Sequence, residues 1–224
     1  MYTIPVFLLS LQLTKKSRSQ QPRIFCLLIG LLLPLAGKAQ MGKLYTADNQ
    51  LSNSFVSQVF QDHDGFMWVA TRNGLDRYDG YRFKIYKRED GKSGLTSNFI
   101  NCLFEDKAHT LYIGTNLTVQ KYNGESFDTL RLIGPTGQLV HPYINDIQQC
   151  RNGDLLIGTS GSGLMRVEGE CTAHTIAGLP SALLHIKRIL EDKQGRLWVI
   201  TAFHGLYCLK GKKVVGHYFY NKQM

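Results

Sequence analysis

From residue 51 onward, short hydrophobic runs alternate with polar turns rich in glycine, aspartate and asparagine. The run FMWVA (66–70) is apolar at successive positions, which is typical of a strand covered on both faces. The segments that follow it end in Asp-Gly or Asn-Gly pairs, which favour tight hairpins because both central residues of a type I′ turn need positive φ. No segment has the i, i+3, i+4, i+7 spacing of an amphipathic helix. The pattern predicts an all-β fold of short antiparallel strands.

The same pattern occurs four times, which makes the repeat the first feature to explain. Each copy has a polar turn, an apolar strand and a final threonine: DHDGFMWVAT (62–71), DKAHTLYIGT (106–115), CRNGDLLIGT (150–159) and DKQGRLWVIT (192–201). Equivalent strand positions lie at intervals of 44, 44 and 42 residues: Trp68, Tyr112, Leu156 and Trp198. With a β-branched segment before it and two more strands after it, each copy predicts four strands, A to D.

Four antiparallel strands in about 43 residues, repeated in tandem, are the signature of β-propeller blades. We expect four blades, as part of a larger, seven-bladed propeller, with an extended stack of hairpins as the structural alternative. The segment GKLYTAD (42–48) resembles the end of a strand D and is a candidate for the displaced strand that closes a ring. The predicted propeller region spans 40–224, with blades at about 51–90, 95–133, 139–177 and 181–220.

The charge of the chain is concentrated in its first 40 residues. The formal net charge is +9, from 26 basic and 17 acidic residues, but five of the basic residues precede position 41, which leaves 21 − 17 = +4 for the rest. A basic stretch (15–23) precedes an apolar run (24–36), the order of a secretory signal peptide. We therefore expect 1–39 to be a targeting segment that is cleaved or kept as an anchor, and we expect no direct contact with nucleic acid.

The cysteines give no metal motif. Cys102, Cys150, Cys171 and Cys208 fall at non-equivalent positions of the repeats, without the CxxC spacing of a zinc site. We expect isolated thiols, with at most one disulfide.

Two stretches closely resemble a known family. LSNSFVSQVFQDHDGFMWVATRNGLDRYDGYRFKIY (51–86) and LTSNFINCLFEDKAHTLYIGT (95–115) are similar to the two-component regulator propeller repeat, with its L-S-N start, D-x-D-G-F-x-W turn and G-L-x-R-Y-D-G end. The resemblance extends over 42–219, although the third repeat lacks the aromatic residue of strand B and has Leu156 instead.

The resemblance implies a periplasmic sensor region of a hybrid two-component regulator from a Bacteroidetes-type bacterium. Full-length relatives continue into further repeats, a membrane helix, a histidine kinase and a DNA-binding domain, and they sense oligosaccharides. We expect this chain to be an N-terminal part without the kinase. Its expected partners are an oligosaccharide and the remaining blades or a second copy, with membrane contact only through the N-terminal segment or missing C-terminal regions.

The loops between strands differ in how regular they are. In antiparallel blades the A–B and C–D turns share one face and the B–C and D–A loops share the other. The B–C and D–A loops vary most, and variable loops on a rigid scaffold usually carry recognition. The candidate ligand-binding residues are therefore Arg72, Asn73, Asn116, Ser160, Ser162, Phe203 and His204.

The sequence supports a catalytic function less well than ligand binding. Asp62, Asp106 and Asp192 recur at one position of the repeat, as turn caps do, whereas an active site needs a single constellation. His63 and His109 lie in A–B turns and are expected to face solvent. We expect no catalytic residue, no metal site and no cofactor. The alternatives are a secreted propeller enzyme, either a lyase or a glycan hydrolase, and a truncated remnant without function.

Overall fold

The computed structural model describes residues 42–88 and 94–219. Within them, four sheets follow one another along the chain, each built on four antiparallel strands in sequence order. Blade 1 comprises β1 (Val56–Gln61), β2 (Met67–Thr71), β3 (Gly74–Tyr78) and β4 (Phe83–Tyr86). Blade 2 comprises β5 (Ile100–Glu105), β6 (Leu111–Thr115), β7 (Val119–Tyr122) and β8 (Phe127–Thr129). The predicted all-β fold of four-stranded antiparallel blades is confirmed.

The third sheet contains a fifth strand. After blade 2, β9 (Arg131–Ile133) pairs in parallel with the outermost strand of blade 3. Residues 131–133, which the predicted boundaries assign to blade 2, therefore extend the sheet of blade 3. Blade 3 comprises β10 (Tyr143–Gln149), β11 (Leu155–Ser160), β12 (Leu164–Glu168) and β13 (Thr172–Thr175). Blade 4 follows a short 3₁₀ helix (Ser181–Leu184) and comprises β14 (Ile186–Glu191), β15 (Leu197–Thr201), β16 (Leu206–Lys210) and β17 (Lys213–Tyr218).

The hydrophobic core lies between neighbouring blades. Each of its three clusters combines residues of two successive blades, as in the contact of Trp68 and Leu75 with Ile100 and Leu103 across blades 1 and 2. The corresponding clusters join blade 2 to blade 3 and blade 3 to blade 4. A single blade is only one sheet thick, so it buries its apolar faces by stacking against its neighbours.

Strand B of one blade packs closely against strand A of the next. Strand B carries a small residue there, Gly114 in blade 2 and Gly158 in blade 3. A Cβ atom on Gly114 would lie 2.8 Å from Cγ2 of Ile144, and one on Gly158 would lie 2.8 Å from Cγ2 of Ile186. Both isoleucines are completely buried. The glycines are therefore required by packing.

A hydrogen bond from each A–B turn to the next blade adds to this contact. The last residue of strand A accepts a backbone N–H from the preceding blade's turn, and the bond occurs at all three described interfaces. The pairs are His63 N to Glu105 Oε2 (3.0 Å), Lys107 N to Gln149 Oε1 (3.0 Å) and Arg151 N to Glu191 Oε2 (2.8 Å). We refer to this bond as the interblade clasp.

The two outer faces of the array are open. Val59 on strand A of blade 1 is 54% exposed, whereas its counterparts Leu103, Ile147 and Ile189 are at most 4% exposed. On the other side, Ile200 of blade 4 is 47% exposed at the position that is glycine in blades 2 and 3. The described blades thus leave one apolar face at each end without a covering neighbour.

The segment predicted to close a ring does not do so. Within the described part of 42–48 no strand forms, and the Tyr45 ring packs against Tyr78 and Phe83 of blade 1, with centroids 5.8 and 5.2 Å away. Among the described residues the segment pairs with no strand of blade 4. Aromatic packing against strands β3 and β4 holds Tyr45 on its own blade.

The repeated aspartates have the structural role that their repetition predicts. Asp62 Oδ1 accepts the Phe66 N–H (2.8 Å), and its Oδ2 accepts the indole N–H of Trp68 (2.6 Å). Asp192 makes the same pair of bonds with Arg196 and Trp198. Blade 3 lacks both the carboxylate and the aromatic residue, because Cys150 and Leu156 occupy the positions equivalent to Asp62 and Trp68. The carboxylate thus joins the A–B turn to the aromatic residue of strand B.

Four cysteines lie in the described residues and all are free thiols. Cys102, Cys150 and Cys208 are buried, and burial raises the pKa of Cys150 to about 11. The expectation of isolated thiols is confirmed for the described cysteines, and the one disulfide that it allowed is not formed among them. The predicted targeting segment 1–39 lies outside the described residues, and across the described ones no helix is long and apolar enough to cross a membrane.

Removing the turn carboxylate should destabilise blade 1. We expect Asp62→Ala to lower the free energy of unfolding by about 2 kcal/mol, because it leaves the Phe66 N–H and the buried Trp68 N–H without their acceptor. Chemical denaturation monitored by tryptophan fluorescence measures the change. Asp128→Ala, at an exposed position of β8, is the control and should change stability by less than about 0.5 kcal/mol.

Asp76 in β3 is fully buried, and its Oδ1 has no hydrogen-bond partner among the described residues. Burial raises the pKa of this carboxyl, although Oδ2 accepts bonds from the Ser52 N–H (2.8 Å) and hydroxyl (3.0 Å). The equivalent residue of blade 2 is Gln120, whose side-chain oxygen accepts from Thr96 in the same way. Blade 2 therefore makes this contact without a charge.

Asp76→Asn should stabilise the protein at neutral pH by about 1 kcal/mol, because an amide keeps the Ser52 bonds without a buried charge. A raised pKa in the folded state means that stability is lost as the pH rises through that pKa. The gain should therefore shrink as the pH falls through the raised pKa of Asp76, because the wild-type carboxyl then becomes protonated. Urea denaturation at several pH values measures this, and a gain independent of pH would contradict the assignment.

Candidate functional site

The predicted recognition loops lie beside the start of strand A. The Arg72 N–H donates to the Phe55 carbonyl (3.2 Å), and the Ala202 N–H donates to the His185 carbonyl (2.8 Å). Each bond joins a B–C turn to the residue that precedes strand A in the same blade. The B–C and D–A loops thus share one face, as the strand order requires.

An aromatic ring stands at this junction in every described blade. These residues form what we call the aromatic row: Phe55, Phe99, Tyr143 and His185. Phe55 is 53% exposed and Tyr143 is 37% exposed. Neither side chain is a buried core residue, so the rings are available to a ligand. Sequence reasoning missed the row, although its members recur at the same intervals of 44, 44 and 42 residues as the strand B positions.

Arg72 lies within this row. Its guanidinium carbon is 3.6 Å from the ring centroid of Phe55 and 5.3 Å from that of Phe99. Phe99 in turn meets Tyr143 edge-on, with centroids 5.8 Å apart. Stacking on two rings fixes the planar guanidinium over the aromatic surface. Of the predicted site residues, Arg72 therefore joins the rings of blades 1 and 2, and Phe99 continues the contact to blade 3.

The electrostatics of the row centre on Tyr143. Burial raises the pKa of Tyr143, and the positive charge of Arg72 and a hydrogen bond with Asn101 oppose that rise. The phenol is therefore protonated at neutral pH and remains a hydrogen-bond donor.

Blade 4 adds a further exposed ring next to His185. Phe203 is 68% exposed and meets His185 edge-on, with centroids 5.5 Å apart. Phe203 thus extends the aromatic row at its fourth member.

The other predicted residues take part in the turns themselves. Asn73, Ser162 and His204 donate their backbone N–H groups to the hydroxyl oxygens of Thr71, Thr159 and Thr201, respectively. This bond explains the threonine of each repeat, which also donates to a carbonyl across the B–C turn. The backbone of these three residues is thereby fixed.

Asn116 and Ser160 bind neighbouring side chains. Asn116 Oδ1 accepts the Ser97 hydroxyl (2.7 Å), and Ser160 Oγ accepts from the Asn145 amide (2.8 Å). The Asn145 amide also donates to the Ile186 carbonyl of blade 4 (2.6 Å). The side chains of Asn116 and Ser160 thus help to hold the loops of this face in place, whereas those of Arg72 and Phe203 are exposed to solvent. Rings, a guanidinium and polar donors are groups suited to binding.

Comparisons with known proteins agree with the fold. Residues 50–73 and 94–117 match the family model described as "Two component regulator propeller". An alignment of 76 positions, which covers 31% of this chain, is 38% identical to a histidine kinase of Formosa agariphila and covers 6% of that protein.

Solved structures with a similar fold include the extracellular domain of a hybrid two component system of B. thetaiotaomicron. It is 22% identical with a TM-score of 0.62, over 71% of this chain and 24% of that one. Virginiamycin B lyase of Staphylococcus aureus is 14% identical with a TM-score of 0.56, over 79% of this chain and 59% of that one. Identities this low show the propeller fold alone. The chain spans about a quarter of the extracellular domain that it resembles.

The family match falls on blades 1 and 2, from the segment that precedes strand A to the B–C turn that carries Arg72 or Asn116. The resemblance seen in the sequence is thereby confirmed for residues 50–73 and 94–117, which match the two-component regulator propeller repeat.

Proposed function

We propose that this chain is the propeller part of a bacterial two-component sensor and that it acts outside the cytoplasm, in the periplasm. The family match of two repeats carries the proposal, and the likeness to an extracellular domain of a hybrid two component system supports it. The described residues build a rigid binding scaffold. Signal transmission, by phosphorelay in a kinase, belongs to regions of the longer proteins that this chain resembles.

We propose further that the ligand is an oligosaccharide bound at the aromatic row. An exposed ring such as Phe55 offers a flat apolar surface for the C–H face of a sugar, while nearby donors can bind its hydroxyl groups. The Arg72 guanidinium adds a positive charge that can pair with a carboxylate or sulfate on the sugar. This combination favours an acidic oligosaccharide.

Substitutions in the aromatic row should weaken sugar binding. Against a panel of paired neutral and acidic oligosaccharides, we expect Phe55→Ala and Arg72→Ala to lower the affinity about tenfold, or about 1.4 kcal/mol. Arg72→Lys should recover only part of the loss because an ammonium keeps the charge without the planar stack. Isothermal titration calorimetry measures each affinity.

Arg151→Ala is the matched control, because Arg151 is also exposed but lies in an A–B turn, on the opposite face. The Arg151→Ala variant should bind each oligosaccharide with the same affinity as the wild type. Equal affinities for wild type, Phe55→Ala and Arg72→Ala would overturn the aromatic row as the binding site while leaving the sensor assignment intact.

We propose that further propeller blades cover the open apolar faces. Val56 and Val59 of blade 1 occupy positions that are buried against the preceding blade in blades 2, 3 and 4. Another blade's strand B therefore fits this face. In the isolated chain a second copy can take its place.

The isolated chain should therefore self-associate reversibly. We expect Val59→Asp to abolish the association, because it places a charge in the centre of the apolar face, and to leave the melting temperature of the monomer unchanged. Val215→Asp, which alters an equally exposed valine on the outer strand β17, should associate like the wild type. Sedimentation velocity over a concentration series measures both. A wild-type chain that stays monomeric throughout would contradict the proposal.

A further inference from the structure

We propose that His63, Glu105 and His109 form a binding site for a divalent transition metal ion, with Zn²⁺ as the best match, at the junction of blades 1 and 2. The site lies in the A–B turns, on the face opposite the aromatic row. It involves none of the groups assigned to sugar binding and goes beyond the proposed sensor function.

The three side chains already lie close together. One ligand atom from each lies within 4.8 Å of the others, and His63 Nδ1 is 2.6 Å from Glu105 Oε1. The two imidazole rings stack with centroids 4.0 Å apart and an interplanar angle of 27°. Tetrahedral zinc with bonds of about 2.0–2.1 Å separates its ligand atoms by about 3.3 Å. Because both histidines are exposed, small side-chain rotations suffice to reach that geometry.

Glu105 is fixed in place by the fold. Its Oε2 accepts the His63 N–H in the interblade clasp, and its side chain is only 11% exposed. The clasp occupies one carboxylate oxygen and leaves the other directed at the imidazole of His63. A carboxylate held in this way is a preorganised ligand.

His109 stands where the other blades have glycine. Its φ is +63°, in the left-handed region, and the equivalent residues are Gly65 (+88°), Gly153 (+94°) and Gly195 (+72°). A side chain in this conformation costs roughly 1 kcal/mol relative to glycine. Blade 2 therefore accepts a backbone cost at the one turn where an imidazole meets His63.

The neighbouring interfaces lack this set of ligands although they share its backbone. At the junction of blades 2 and 3 the equivalent residues are Lys107, Gln149 and Gly153. The clasp is the same there, so the fold by itself does not require two histidines and a glutamate. At the junction of blades 1 and 2 all three positions hold residues that can bind a metal ion, which is not the case at the junction of blades 2 and 3.

A second carboxylate completes the surroundings. Asp64 Oδ1 lies 3.3 Å from His63 Nε2, so each ring nitrogen of His63 faces a carboxylate. When one nitrogen binds the metal, the other can donate to a carboxylate that orients the ring, a common arrangement around zinc. Imidazole with carboxylate suits zinc, copper and nickel better than calcium or magnesium.

The site opens into a cleft of about 450 Å³ between the two blades. Two cations on its walls have other contacts: Lys121 donates to the Glu170 carbonyl (2.6 Å), and Arg77 lies 4.4 Å above the Phe66 ring. Through this cleft, water can reach the coordination positions that the three side chains leave open. A bound ion would link two blades and stabilise the folded chain by an amount that grows with the logarithm of the ion concentration above its dissociation constant.

Metal-stripped, untagged protein tests the proposal. Adding Zn²⁺ at about 100 times its dissociation constant should raise the melting temperature by about 5 °C, and Co²⁺ in its place should give visible absorption bands. His109→Gly restores the residue of the other blades. It should fold with an equal or higher melting temperature without metal, and it should lose the zinc shift and at least about tenfold in affinity.

His63→Lys, which introduces the residue of blades 2 and 4, should likewise lose the shift. His141→Ala, an exposed histidine in the loop before blade 3, is the control and should keep it. A wild-type protein without a zinc shift overturns the proposal, as does His109→Gly with an undiminished one. Because oligosaccharide affinity is measured separately on the opposite face, neither result depends on the sensor function.

Discussion

The contact between strand B of one blade and strand A of the next is the interaction on which the structure depends. A β-branched residue of strand A, Ile144 or Ile186, lies directly against a glycine of the preceding blade. A Cβ atom on Gly114 or Gly158 would lie 2.8 Å from that isoleucine, so one of the two sheets would have to shift. The stability of the array is therefore a property of its interfaces more than of individual blades.

The interfaces also account for what varies between repeats. The turn carboxylate, the threonine and the interblade clasp serve the same purpose in each blade, so they recur. Arg72 and His109 depart from their counterparts and lie on opposite faces. Because the scaffold is already held together by its repeated contacts, single turns can change their side chains without loss of the fold. Both proposed binding sites lie at turns whose side chains differ in this way from those of the other blades.

Much of this was predictable from the sequence. The period of the repeat, the order of the strands and the structural role of Asp62 and its equivalents follow from local patterns, since turn and strand residues act within one blade. Contacts between blades do not follow from local patterns. His63 and Glu105 lie in different repeats, so nothing in their spacing predicts a 2.6 Å approach. The contact of Tyr45 with blade 1 was likewise not visible in its strand-like segment.

Native-state hydrogen exchange, resolved by strand, tests this account most directly. If stability resides in the interfaces, the amides of β5, β6, β10 and β11, which have a blade on either side, should exchange most slowly. Those of β1 and β17, beside the open faces, should exchange fastest. Equal protection of all four blades would contradict the account, because it would mean that the outer blades are as firmly held as the inner ones.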